Sequence, residues 1–307
     1  HGTANNHNVR FYHQITQHTE ISAIFNLINT KFSLYHSMLL GLVVVLMLLN
    51  WGLEAFKWQF LVKKIAHINF FSAFKAVFFG IALSVFMPNR IGEQSTRVLL
   101  LKNEHKAKAL SLALLGSTSQ LVANLWLTTW GFIGFFYYYM LAEQGIGLYV
   151  LGLSLSVLGL VVGTCLFFNV SILQQFVSKH KKMSFLTNYI KPIGLFSQSD
   201  LWQIVLLSAC RNMVYTFQYL LLMWALAIPI DWLSGLLLIN SIFFVQTLLP
   251  SIALLELGVR GNVALFFMAY VNNDGVAVVA ATFMLWIINL MLPALIGGWV
   301  IWQKKMG

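Results

Sequence analysis

The chain has 307 residues, of which 59% are apolar and only 9% are Asp, Glu, Lys or Arg; an average soluble domain carries about 25% charged residues. With a mean hydropathy of +0.78, this composition excludes a soluble globular enzyme, a disordered tail and a coiled coil, because soluble monomers rarely leave apolar patches above a few hundred Å² uncovered. A net charge of +10 would suggest nucleic acid in a soluble protein, but these lysines flank apolar runs, where the positive-inside rule and anionic headgroups account for them, and no nucleic acid partner is expected.

The fold class that remains is an all-α polytopic membrane protein, since the apolar runs are long and lack the two-residue alternation of a barrel. Residues 1–36 are a polar N-terminal tail whose five histidines are expected to mark an irregular segment and not a metal site. The first span is 37–60, followed by Lys63 and Lys64, and the second apolar run is 70–87. The polar stretch PNRIGEQSTR then occupies 88–97, and Lys102, Lys106 and Lys108 follow it.

The run 109–140 has 32 residues, about 48 Å as straight helix against a hydrocarbon core of about 30 Å. It is expected to split near Gly116-Ser117-Thr118-Ser119-Gln120. The next span, 147–169, holds Gly159 and Gly163 in a spacing that suits close helix packing. Residues 170–198 form a Lys-rich cytoplasmic linker. The span 201–228 is interrupted by Arg211 and Asn212, and 233–249 is apolar up to the stretch PSIALLELGVRGN at 250–262. The last span is 276–302, and 304–307 is a cytoplasmic tail. The transmembrane domain is thus 37–303, with halves of about 37–169 and 200–303. Cys165 and Cys210 each lie within an apolar run, which is neither a disulfide framework nor a zinc site.

The two polar interruptions resemble each other. Each opens on Pro, and each carries a Glu followed four residues later by an Arg: Glu93 with Arg97, and Glu256 with Arg260. Pro88 and Pro250 are 162 residues apart, about half the chain. Paired interruptions in corresponding halves point to a transporter-type internal repeat. If every apolar run crossed fully, Lys63 and Lys64 would lie opposite Lys102, Lys106 and Lys108, against the positive-inside rule. If 68–101 and 232–271 instead enter and leave on one face, bent at Pro88 and Pro250, all the lysine clusters share one side. The turns at Glu143, Asp231 and Asp274 then face the other. The expectation is a two-half helical bundle with inverted repeats and re-entrant, Pro-broken helices.

A charged side chain costs about 2.5–3.5 kcal/mol at a membrane helix centre on insertion scales, so each one is a functional hypothesis. Arg90, Glu93 and Arg97 fall within one ten-residue window, and Glu93 and Arg97 would share a helical face. Free N–H groups at the bend favour an anion, and guanidinium groups grip phosphate bidentately. With Arg211, Glu256 and Arg260 they form the candidate lipid-headgroup site. The competing account makes the two Glu–Arg pairs structural braces. Glu54 and Lys57, three residues apart near a helix end, are expected to pair with the lysine snorkelling outward. No metal-ligand spacing, nucleotide loop or nucleophile elbow is found, so no cofactor is expected and no enzymatic activity.

The segment Pro88-Asn89-Arg90-Ile91-Gly92-Glu93-Gln94-Ser95-Thr96-Arg97, the Trp58-Gln59-Phe60-Leu61 end of the first span and Leu255-Glu256-Leu257-Gly258-Val259-Arg260 resemble the lysylphosphatidylglycerol synthase transmembrane family, also called flippase-like. The likeness covers about residues 38–303. It departs at Asn89, where a small residue is usual, and at Ser251-Ile252-Ala253, where a glycine-rich stretch is expected. The resemblance implies a lipid translocase of the bacterial inner membrane, acting on a phospholipid or polyprenol-linked lipid. The sequence ends at Gly307, directly after its last span, so no soluble aminoacyltransferase domain and no lipid synthesis are expected; a separate lipid-modifying enzyme is the expected protein partner. The alternative is a non-transporting membrane subunit that anchors or regulates a lipid or cell-envelope glycan enzyme.

Overall fold

A computed structural model describes residues 34–84, 96–140, 146–169, 179, 191–248, 253–271 and 274–306. Among these the chain is helical and without strands. In order come α1 (Leu34–Val62), α2 (Phe70–Ser84), α3 (Asn103–Phe135), α4 (Ile146–Phe168), α5 (Gln198–Ala225), α6 (Trp232–Leu248), α7 (Ala253–Met268), α8 (Gly275–Trp286) and α9 (Leu292–Met306). A π-helical turn, Phe136–Met140, extends α3, and a second, Ile287–Met291, joins α8 to α9. Among the described residues, four stretches are long and apolar enough to cross a membrane: Leu34–Val62, Asn103–Met140, Val150–Phe168 and Gly275–Trp299. The all-α polytopic class expected from composition is therefore what the chain adopts.

The helix boundaries follow from their capping residues. The side chain of Asn69 accepts from Ser72 N–H (2.8 Å) at the start of α2. Ser197 and Asp200 cap α5 reciprocally: Asp200 Oδ2 accepts from Ser197 N–H (2.9 Å) and Ser197 Oγ from Asp200 N–H (3.2 Å). That is a capping box with Asp in the Glu place, and it satisfies two amides that the helix itself leaves open. Asp231 and Asp274 cap α6 and α8 by accepting from Ser234 and Ala277 N–H. The Ser234 amide holds the Asp231 carboxyl below its ordinary pKa, so this cap contributes stability above the usual carboxylate range and loses it only as pH falls further. Helix α5 ends where Ala227 takes a left-handed conformation (φ 55°), with Ile228 N–H bonded to Met223 O and Ala227 N–H to Trp224 O, a Schellman ending.

Two structural expectations are corrected. Helix α3 does not split near 116–120 but runs unbroken through 33 residues. Ser117 and Thr118 donate to the carbonyls of Ala113 and Leu114, four residues back, and Ser119 to that of Gly116. The hydroxyls are thus absorbed by the helix instead of interrupting it. Among the described residues, likewise, none packs closely on the Gly159/Gly163 face: a Cβ at Gly159 would meet none of them within 4 Å, and one at Gly163 would meet Leu125 at an ordinary 3.5 Å.

Two compact units make up the chain, and each draws on both sequence halves. One comprises Leu127–Val157, Val214–Asn289 and the described part up to Leu48. Here the end of α3 lies against α6, where Phe132 stacks on Phe244 (4.4 Å) and a Cβ at Gly131 would reach Leu237 O at 3.1 Å. Such backbone approach is how small residues bring membrane helices together. Tyr219 and Thr282 link α5 to α8 by a buried hydroxyl pair.

The other unit comprises Leu49–Trp126, Leu158–Met213 and Leu290–Gly307. In it α2 packs on α9 so closely that a Cβ at Gly297 would overlap the carbonyl of Phe78. The obstacle is backbone and cannot rotate away. Gly297→Ala is expected to destabilise by about 1–3 kcal/mol, the range for overpacking, whereas Gly298→Ala, facing open space, leaves thermal unfolding nearly unchanged.

Candidate functional site

Three described cations, Lys57, Arg97 and Arg211, converge on a single carboxylate. Asn50, Glu54 and Lys57 recur at helical spacing along α1, so one face of an apolar helix carries three polar side chains. All three are buried. Glu54 Oε1 accepts from Arg97 NH1 at 2.7 Å, and Oε2 from Lys57 Nζ at 2.9 Å and from Arg211 NH1. The side chains of Lys57, Arg97 and Glu54 are 1%, 2% and 3% exposed; that of Arg211 is 14% exposed. Among the described residues, three cations therefore share this carboxylate, in a site from which three of the four members have lost water.

Neutral groups complete the shell. Lys57 Nζ also donates to Ser208 Oγ (3.0 Å), Gly116 O (3.3 Å) and Gln120 Oε1 (3.4 Å). Arg211 donates from Nε to Asn50 Oδ1 and from NH1 to Gln120 Oε1, both at 3.1 Å, and its guanidinium lies 5.0 Å from the Trp51 ring centroid. Arg97 lies over Trp58 at 5.6 Å. The network continues from Gln120 Nε2 to Asn124 Oδ1 and from Asn212 Nδ2 to the same oxygen. Taking charges out of water costs several kcal/mol per ion, which good geometry and added hydrogen bonds offset only in part. A cluster so expensive to fold marks function by default in a membrane helix bundle.

Of the predicted site residues, Arg97 and Arg211 come together here, through a partner that the sequence did not reveal. Arg97 was expected to face Glu93; its described carboxylate partner is Glu54, on α1. Arg90 and Glu93 lie outside the described residues. Arg260 belongs to the other unit, where its NH1 donates to Tyr215 Oη at 3.4 Å; Glu256 lies on α7 with its side chain outside what is described. The expected outward snorkelling of Lys57 is corrected. Its ammonium turns inward, because Glu54 and the oxygens of α3 and α5 replace the water it would otherwise seek.

Compared with known families, the chain matches the lysylphosphatidylglycerol synthase TM region over residues 21–297. It belongs to that family. No curated protein matches the chain. Membership of the lysylphosphatidylglycerol synthase TM family, together with the apolar helices, makes this a membrane-embedded protein tied to phospholipid metabolism or translocation.

Proposed function

We propose that the chain is a lipid translocase of the bacterial inner membrane, moving a phospholipid or other phosphate-bearing lipid and not synthesising one. The observation that carries this reading is the gathering of Lys57, Arg97 and Arg211 around Glu54, with the Arg211 side chain 14% exposed. An arginine reachable at the edge of such a cluster is suited to an anion, and a phosphodiester is the anion that phospholipids supply. Guanidinium groups match phosphate in shape as well as charge. Arg90, in the same Pro88–Arg97 segment, extends the cationic surface in this proposal, and Arg260 serves the second half.

The path is proposed to run along two re-entrant segments related by an inverted repeat. Irregular backbone at depth is tolerated where it lines a wet cavity, and rocking of two repeats about a central site gives alternating access.

Sidedness tests the architecture. In a background lacking Cys165 and Cys210, single cysteines at positions 63, 105 and 181 are expected to react only from the cytoplasmic face, and those at 143, 231 and 274 only from outside. Labelling of 63 and 105 from opposite faces would remove the first re-entrant segment. Reconstitution with a panel of labelled lipids tests transport itself: phosphate-bearing lipids exchange faster than in protein-free liposomes, and equal rates for every lipid and for empty liposomes refute it.

A further inference from the structure

We infer that Glu54 is an exchangeable internal anion, whose bond to Arg211 an incoming phosphodiester replaces. This rests on the translocase reading and deepens it by assigning the ligand a charge and Arg211 the first contact. Both oxygens of Glu54 are engaged, with Arg97 on Oε1 and with Lys57 and Arg211 on Oε2. The three cations are not equivalent. Lys57 and Arg97 are sealed from solvent, and only the Arg211 side chain keeps measurable exposure. A ligand therefore reaches Arg211 first.

Arg211 is also the member that can change partner without losing its place. Asn50 holds its Nε, Gln120 accepts from NH1, and Trp51 supports its plane. These neutral contacts remain when the bond to Glu54 opens. Glu54 in turn keeps Lys57 and Arg97, so it is not stranded as a bare charge.

Glu54 then has two opposed effects. It competes with the ligand for Arg211, which weakens binding, and it reclaims Arg211 on release, which speeds turnover. Removing its charge tightens binding and slows exchange.

The experiment uses the purified chain in detergent, titrated with dihexanoyl phosphatidylglycerol, with inorganic phosphate and a dihexanoyl glycerol bearing one neutral sugar as separate arms. Binding is read as ligand-dependent thermal stabilisation and leaflet exchange is read in liposomes. Glu54→Gln is expected to bind the phospholipid about tenfold more tightly, at the low end of the coupling measured for close charge pairs, and to exchange it more slowly than wild type. Equal or weaker binding by folded Glu54→Gln overturns the inference. If that variant does not fold, Glu54→Asp keeps the charge with a shorter reach; it is expected to bind more tightly, and unchanged affinity overturns the inference. Inorganic phosphate binding as tightly as the phospholipid assigns the site to the free anion and overturns it too. Wild-type binding and exchange by Arg211→Ala would instead sink the translocase site itself, a separate failure.

Discussion

Glu54→Leu is expected to lower stability by about 3–5 kcal/mol, the usual result of removing one partner of a buried ionic cluster. The loss leaves Lys57, Arg97 and Arg211 facing one another with no carboxylate from α1 between them. Lys57→Met is expected to cost far less, because Glu54 keeps both arginines and the methionine occupies a similar volume. Loss of the ammonium leaves Glu54 Oε2 with Arg211 and otherwise frees only neutral acceptors, at Ser208, Gly116 and Gln120. Thermal unfolding of the two variants in detergent measures the contrast. A larger loss in Lys57→Met than in Glu54→Leu would mean that Lys57 and not Glu54 organises the cluster.

The second large effect falls on function. Arg211→Ala is expected to reduce lipid exchange about a hundredfold, in line with truncating one member of a desolvated charge pair, while folded yield stays near wild type. Stability is retained because Glu54 still holds Lys57 at 2.9 Å and Arg97 at 2.7 Å. Arg211→Lys recovers only part of the rate, since an ammonium is a point charge and cannot reproduce the planar fork. The comparison needs exchange rates and melting curves on the same preparations. A matching loss of folded protein in both variants would make Arg211 structural.

The helices were legible because twenty-residue apolar runs leave few alternatives in water or lipid. The span expected at 37–60 lies within α1, and α4 covers 147–168 of the span expected at 147–169. The polar run Gly116–Gln120 misled because Ser and Thr are read as breakers, while in α3 their hydroxyls bond back to the helix. Gly159 misled for the opposite reason: spacing alone does not say what lies opposite. Gly131 packs closely on Leu237 and Asn240, and Gly297 on Phe78 and Ala82, partners that are distant in sequence.

At the site, Arg97 was found through the polar Pro88–Arg97 stretch it closes, and Arg211 because an arginine inside an apolar run needs explanation. Glu54 and Lys57 were found but misread. Their i,i+3 spacing near a helix end fits a snorkelling pair as well as a buried one, and only the tertiary contacts of α1 with Arg97 and Arg211 distinguish the two. One signal was present in the sequence, since Asn50, Glu54 and Lys57 align with Trp51 and Trp58 along the same stretch of α1. A polar stripe inside an apolar helix faces protein and not lipid. Ser208 and Gln120 carried no such signal, because each looks like an ordinary small or polar packing residue until Lys57 reaches it.

The claim that Arg211 and its neighbours serve a phosphate-bearing lipid is tested most directly by comparing two tail-labelled fluorescent lipids in liposomes containing the purified chain. One is phosphatidylglycerol, and the other is a diacylglycerol with a single neutral sugar. A membrane-impermeant quencher reads the fraction reaching the outer leaflet with time. The account predicts that the chain accelerates exchange of phosphatidylglycerol well above that of the neutral glycolipid, and that Arg211→Ala removes the difference. Equal acceleration of both lipids, or none of either, would contradict it.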